Sequence, residues 1–264
     1  CKLRADGYEF VRLDEVPARL QSSSKTPFAA FTLDDGYYDN AQHALPVFER
    51  HGVPFTIFIT RGFSERTHSL WWETLEEILP QRDSLEFDFG KGTETIDLST
   101  SVRVQDCFKK FVRYVWENDE ADAVRHIEAL ARRNRIDPLA LTARLVMGPD
   151  DLKKLLEHPL ACLGAHTISH RAISRLSPED AREELRQSAD WLEQLTGIRP
   201  ATFAFPYGTR EAVSARDIDI ARELGFSVAV LTQPGTLSEQ SLDKLTGLPR
   251  ISLNGYFQRP KYVS

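Results

Sequence analysis

Two adjacent carboxylates, Asp34-Asp35, follow an apolar run from Pro27 to Leu33 and precede Gly36. The pattern predicts a buried strand that delivers both acids to its C-terminal end, with Gly36 permitting a tight turn. Like charges side by side are costly unless a positive group offsets them. A bound cation is the simplest such group: one carboxylate ligates it while the other handles protons. A second apolar stretch leads into Gly164-Ala165-His166-Thr167-Ile168-Ser169-His170. Histidines four apart can converge on one point from a helical turn or a tight loop, and neutral imidazole is the commonest metal ligand. Two histidines and one carboxylate leave positions open for water and substrate, as catalytic rather than structural sites do. Taken singly, Asp-Asp-Gly reads equally well as a solvated turn, and His-x-x-x-His as a surface coincidence. Together, at two strand ends, they point to a metal centre. A third run, Phe203-Ala204-Phe205-Pro206-Tyr207-Gly208, is again a strand entering a turn. Such a turn can aim a backbone N–H at an oxyanion and set an aromatic ring as the wall of a site.

The elements that must position these residues alternate between β and α. Tyr8 to Leu13 reads as a short strand. Asn40 is a candidate N-cap for a helix over Ala41 to Arg50, restarted at Pro46 and stopped at Gly52. Val53 to Thr60 is β-branched and aromatic, as a strand buried on both faces requires. Residues 62–150 break this rhythm. A helix over Leu70 to Leu79 opens with Trp71-Trp72, a hairpin is expected around Gly90-Lys91-Gly92, and helices follow at 102–117, 120–134 and 138–146. This stretch reads as an insertion, and the tryptophans pack its core or, alternatively, stack on sugar rings. The rhythm then resumes. A helix spans Asp150 to Leu156, and a strand Leu160 to Ala165. A helix over Ser177 to Leu195 follows, stopped by Gly197, and then a strand over Thr202 to Phe205. The last elements are a helix over Arg210 to Leu224, a strand over Phe226 to Leu231 and a final strand over Leu248 to Leu253. Alternation of this kind predicts a parallel sheet or barrel with its chemistry at the C-terminal strand ends.

Composition bounds the function. A chain of 264 residues with net charge −6 does not suit nucleic-acid binding as its main task. No apolar run is long enough to span a bilayer, and no signal peptide is visible. The chain opens on Cys1 rather than Met, which suggests a processed product, and it is expected to be soluble, cytoplasmic or periplasmic. Cys1, Cys107 and Cys162 suggest neither a disulfide framework nor a zinc knuckle, and Cys162 is expected as a buried thiol. His43, His51, His68, His126 and His158 are scattered and read as solvated.

In this order, the three motifs resemble those of the polysaccharide deacetylase family (carbohydrate esterase family four). Its pattern is Thr-Phe-Asp-Asp-Gly, His-Ser/Thr-x-x-His and a Pro-Tyr/Phe-Gly turn. Here it reads Thr32-Leu33-Asp34-Asp35-Gly36, His166 to His170, and Phe205-Pro206-Tyr207-Gly208. The resemblance implies an α/β fold, a distorted (β/α) barrel of the polysaccharide deacetylase type, with the mainly helical insertion at about 62–150 set within a single catalytic domain over 1–264. It implies a hydrolase that removes N-acetyl groups from acetamido sugars in a glycan. By the same resemblance Asp34 is the general base, and Asp35, His166 and His170 hold a divalent metal, zinc foremost. The Tyr207 backbone helps bind the oxyanion, and Phe205, Pro206, Tyr207 and Gly208 form the sugar site.

Two departures stand out. The family supplies the leaving-group proton from a histidine in a late Leu-x-His motif. The corresponding segment here is Leu248-Pro249-Arg250, and no histidine follows His170. Some relatives in bacterial exopolysaccharide systems carry that histidine on an upstream strand, before a segment like Gly7 to Val11. The family's arginine before the Pro-Tyr turn is also absent, Thr202 to Ala204 being small or apolar. The expected activity is a metal-dependent deacetylase acting on a bacterial surface or extracellular polysaccharide or its precursor. The rivals are an amidohydrolase acting on a non-sugar amide and a non-catalytic glycan-binding relative.

Overall fold

The computed structural model describes residues Lys2–Leu253, and among them no helix is long and apolar enough to cross a membrane. In chain order the elements are α1 (Lys2–Ala5), β1 (Glu9–Phe10), α2 (Val16–Gln21), β2 (Phe28–Ala29), β3 (Phe31–Leu33), α3 (Leu45–His51), β4 (Phe55–Ile59), α4 (Arg61–Ser64), α5 (Trp71–Ile78), β5 (Ser84–Asp88), β6 (Thr93–Asp97), α6 (Ser101–Glu117), α7 (Glu120–Arg133), α8 (Pro138–Leu145), α9 (Pro149–Leu155), β7 (Ala161–Ala165), α10 (Pro178–Thr196), β8 (Thr202–Ala204), α11 (Ala215–Glu223) and β9 (Val228–Val230). The chain divides into two compact units. The second is Glu65–Leu145, and the first is formed by the residues on either side of it.

In the first unit β3, β4, β7, β8 and β9 form one all-parallel sheet in that order. Its spine is β4, whose five residues are all buried, as its β-branched and aromatic run predicts. Phe58 on β4 packs with Val11, Leu13, Val16, Ala204, Val228, Val230 and Leu248. Full burial of a side chain this large contributes about 1.5–3 kcal/mol. The apolar run before Asp34, expected as one buried strand, is half-buried and is interrupted at Ala30. Phe28–Ala29 pairs with β1, whereas Phe31–Leu33 pairs with β4.

Several local signals act as the residue types dictate. Ser177 Oγ accepts from Asp180 N at 3.1 Å, Pro178 opens α10, and Gly197 closes it with φ 75°. Pro46 falls in the first turn of α3, where its missing N–H costs nothing. Other expectations are corrected. Asn40 is not a side-chain cap: it is buried, opens a π-helical turn over Asn40–Ala44, and its Nδ2 donates to the Asp34 carbonyl at 3.4 Å. The helix expected from Arg210 starts only at Ala215, because Ser214 N and Oγ both donate to Asp217 Oδ2 at 2.8 Å and set the start there. Leu248 to Leu253 is not a strand. Leu248 makes a single parallel bridge to Val230, and Pro249, lacking an N–H, cannot extend the ladder. Cys162 is half-buried rather than buried, Cys107 is buried, and Cys1 lies outside the described residues.

The second unit packs α5, α6 and α7 with the β5–β6 hairpin around Trp71, Leu75, Ile78, Phe87, Phe111 and Ile127. Trp71 is buried there, with Trp72 edge-on to it at 5.6 Å between ring centroids.

Gly164 on β7 gives a test of the sheet's close packing. A Cβ there would lie 2.5 Å from two ring carbons of Phe58 and 2.7 Å from Thr202 Oγ1. Gly164→Ala is expected to destabilise the protein by about 1–3 kcal/mol, read from urea unfolding. Wild-type stability in that variant would mean that the Phe58 ring yields freely.

Candidate active site

Three strand ends of the parallel sheet carry the three motifs. After β3 the chain turns at Asp35 and Gly36, both in the left-handed region with φ 67° and 71°. Asp tolerates that region better than most residues, because its short polar side chain can bond locally. Gly36 O accepts from Met147 N at 2.9 Å, which ties the turn down. After β7, Thr167 and His170 also take positive φ, 67° and 57°. For such non-glycine residues this costs about 1–2 kcal/mol each, so the loop is held rather than merely permitted. His170 N donates to Thr167 Oγ1 at 3.0 Å, and Thr60 Oγ1 donates to His166 O at 3.1 Å. After β8, Tyr207 has φ 59° and Gly208 φ 61°. A Cβ on Gly208 would collide with the backbone nitrogen of Thr232, so the turn admits no side chain there.

The two carboxylates point apart, because the chain leaves extended geometry at Asp35. Asp35 Oδ1 lies 3.6 Å from His166 Nε2 and 3.4 Å from His170 Nε2. One ligand atom from each of the three residues falls within 4.8 Å of the others. Metal–ligand bonds of about 2.1 Å at tetrahedral angles separate two ligand atoms by about 3.4 Å, so the spacing fits one ion. His166 Nδ1 donates to the Ala204 carbonyl at 2.6 Å, which leaves Nε2 unprotonated and facing Asp35. Burial lowers the pKa of both imidazoles, and His170 is pushed further down by His166, so both rings are neutral as ligands must be. The donor set, one carboxylate oxygen and two imidazole nitrogens, suits a divalent ion such as zinc and leaves coordination positions open.

Asp34 has a different partner. Arg250 Nη1 and Nη2 donate to its two oxygens, both at 2.8 Å. Nη1 also reaches Thr32 Oγ1 at 3.1 Å, and Nε donates to Leu231 O at 2.9 Å. Thr32 and Asp34 share one side of the chain, as residues two apart on a strand do. Burial alone would raise the Asp34 pKa, but the charge and the paired hydrogen bonds of Arg250 outweigh it and hold it below the ordinary carboxylate value.

Arg250 is the residue that motif reading missed. It follows Leu248-Pro249 after β9, and its guanidinium is the cation that meets Asp34. The sequence signals only that the paired acids need a counter-charge, not which cation supplies it. Of the aromatics in the third motif, Phe205 is fully buried with its ring edge-on to Phe203 at 4.9 Å, so it has no face to offer a ligand. Tyr207 is part-exposed and lies edge-on to the His170 ring at 5.0 Å. His126 is exposed, as expected, and meets Tyr114 Oη at 2.6 Å, whereas His158, expected as solvated, is half-buried with Glu49 Oε1 at 3.7 Å.

A family model described as polysaccharide deacetylase matches residues 21–87 and 114–229. No curated protein matches the chain in sequence. Among solved structures, the BpsB deacetylase domain from Bordetella bronchiseptica is 14% identical, with a TM-score of 0.56 over 94% of this chain and 80% of that one. The Streptococcus pyogenes deacetylase PplD, solved in complex with acetate, is 17% identical, with a TM-score of 0.53 over 95% and 76%. IcaB from Ammonifex degensii is 18% identical, with a TM-score of 0.50 over 92% and 83%. At these identities the likeness is one of fold, and the curled parallel sheet with its helices is the distorted (β/α) barrel expected from the motifs.

The Arg250–Asp34 pair is testable by titration. Arg250→Met removes the lowering partner and leaves desolvation, so the Asp34 carboxyl resonance is expected to titrate at higher pH than in wild type, in carbon-detected NMR. An unchanged midpoint would show that Arg250 does not govern this acid.

Proposed function

Because the chain belongs to the polysaccharide deacetylase family, we propose that it is a metal-dependent hydrolase that removes N-acetyl groups from the acetamido sugars of a bacterial surface or extracellular polysaccharide, or of its precursor. The observation that carries this reading is the convergence of Asp35, His166 and His170 beside a carboxylate, Asp34, that is held separately by Arg250. Asp35, His166 and His170 would hold the divalent ion, zinc foremost, which when bound polarises an amide carbonyl and lowers the pKa of a water.

The chain's own residues do the rest. Asp34 accepts the proton of the attacking water. Arg250 keeps that acid ionised and in one orientation, which widens the pH range over which the base is available at some cost in basicity. The turn after β8 contributes the Tyr207 backbone to the oxyanion and the Tyr207 ring as a wall for the sugar. Pro206 and Gly208 shape that turn. The leaving amine must be protonated. The position of the family's late histidine is held by Arg250, which is committed to Asp34, and arginine does not donate protons at neutral pH. Amide hydrolysis is therefore expected to be slow relative to hydrolysis of activated acetate esters, whose leaving groups depart without protonation.

The test combines elemental analysis with acetate release from acetamido-sugar oligosaccharides. Wild type is expected to carry about one divalent ion per chain. Asp35→Ala and the double variant His166→Ala/His170→Ala should lose it. Asp34→Asn should keep the ion and lose about 10²- to 10⁴-fold in turnover. Unchanged metal content in the double histidine variant would remove the basis of the proposal, and loss of metal from Asp34→Asn with retention in Asp35→Ala would exchange the roles of the two acids.

The base also predicts a pH profile. Asp34 works ionised, and Arg250 lowers its pKa. Activity should therefore persist into mildly acidic solution in wild type, and the acidic limb should move to higher pH in Arg250→Met. Superimposable acidic limbs would assign that limb to another group.

A further inference from the structure

Glu184 lies in α10 and is only 6% exposed. Its carboxylate faces the loop that carries the two histidines. Oε2 accepts from the backbone N–H of Ile168 at 2.8 Å and of Ser169 at 2.9 Å, and Oε1 accepts from Ser169 Oγ at 2.5 Å. Arg171 stands alongside, with Nη2 3.6 Å from Oε1 and Nε donating to Ser169 Oγ at 3.2 Å. A buried carboxylate is costly unless its oxygens are satisfied. Here all three hydrogen bonds come from residues between His166 and His170.

The same loop is held from the other side by the turn after β4. Arg61 N donates to Thr167 O at 3.1 Å, and Gly62 N to Ile168 O at 2.8 Å. The β4 side therefore takes the carbonyls and Glu184 takes the amides, which fixes the peptide planes from Thr167 to Ser169 on both faces. The planes need fixing, because Thr167 and His170 sit at φ 67° and 57°, a region that non-glycine residues leave when unrestrained. Relaxation of either would rotate His170 away from Asp35 and swing it relative to His166.

We propose that Glu184 is a positioning residue for the metal centre. Its carboxylate locks the backbone of residues 167–169 so that His166 and His170 stay within ligating reach of Asp35. The inference rests on the metal reading of this site and adds the element that keeps it assembled. Partners one step behind metal ligands typically change metal affinity by about 10- to 100-fold when lost.

The experiment is zinc affinity by chelator competition in the full chain, with the visible spectrum of the cobalt-loaded form as a report on ligand geometry. Glu184→Ala is expected to weaken zinc by about 10- to 100-fold and to alter the cobalt bands, while its folded fraction keeps wild-type far-ultraviolet circular dichroism. Glu184→Gln keeps the shape and loses the charge. Charge-assisted bonds are about twice as strong as neutral ones, so this variant should fall between wild type and Glu184→Ala. If Glu184→Ala is not recovered folded, Glu184→Gln carries the test: weaker zinc binding supports the proposal and wild-type affinity overturns it. Lower thermal stability with unchanged zinc affinity and cobalt spectrum would make Glu184 a packing residue and overturn this inference alone. A wild-type protein that binds no zinc or cobalt would overturn the metal reading itself, and this inference with it.

Discussion

Two carboxylates on consecutive residues at the end of a half-buried strand repel each other, and the site is arranged around keeping them apart. Asp34 turns to Arg250, which meets both of its oxygens at 2.8 Å. Asp35 turns the other way, to His166 and His170. The backbone makes this divergence possible, because Asp35 and Gly36 both adopt left-handed geometry immediately after β3. Each acid thus acquires its own electrostatic environment within a few ångströms of the other. One acid is kept ionised by a fixed guanidinium. The other faces two imidazoles that burial keeps neutral. Environments that differ this much assign different chemistry to identical side chains.

The rest of the structure holds that separation. Parallel pairing sets the C-terminal ends of β3, β7 and β8 on one side of the sheet, so residues distant in sequence meet there. Positive φ at Asp35, Thr167, His170 and Tyr207 falls in the turns that follow these strands. Such strain persists only where the surroundings over-determine the backbone. The hydrogen bonds donated by Thr60, Arg61 and Gly62 on one side of the histidine loop, and those accepted by Glu184 on the other, are those surroundings.

Much of this is legible in the residue types and their spacing. The strand-then-acid and strand-then-histidine patterns, the Ser177-Pro178 helix start, the Gly197 stop and the hairpin at Gly90-Lys91-Gly92 are local signals, and each formed where its residue types require. The failures have a common cause. Asn40 is a good cap by type, but it was drawn inward to the Asp34 carbonyl. Leu248 to Leu253 is apolar enough for a strand, but Pro249 ends the ladder after one bridge. Phe205 belongs to a site motif, yet its ring packs against Phe203 in the core. In each case a tertiary partner or a missing donor outweighed the local preference.

Sequence alone therefore determined the alternating β/α architecture, the metal-ligating triad of Asp35, His166 and His170 as candidates, and the need for a positive partner near the paired acids. Tertiary structure decided who that partner is. Arg250 is 216 positions from Asp34 along the chain, and nothing in its own neighbourhood marks it as the counter-ion of a candidate base. Glu184 is likewise unremarked in sequence, one acid among several on a charged helix. Hydrogen-bonding type and strand periodicity are carried by residues close in the chain. Charge pairing in a barrel depends on which side chains the folded sheet brings within about 3 Å, and that is set by register and packing between distant segments.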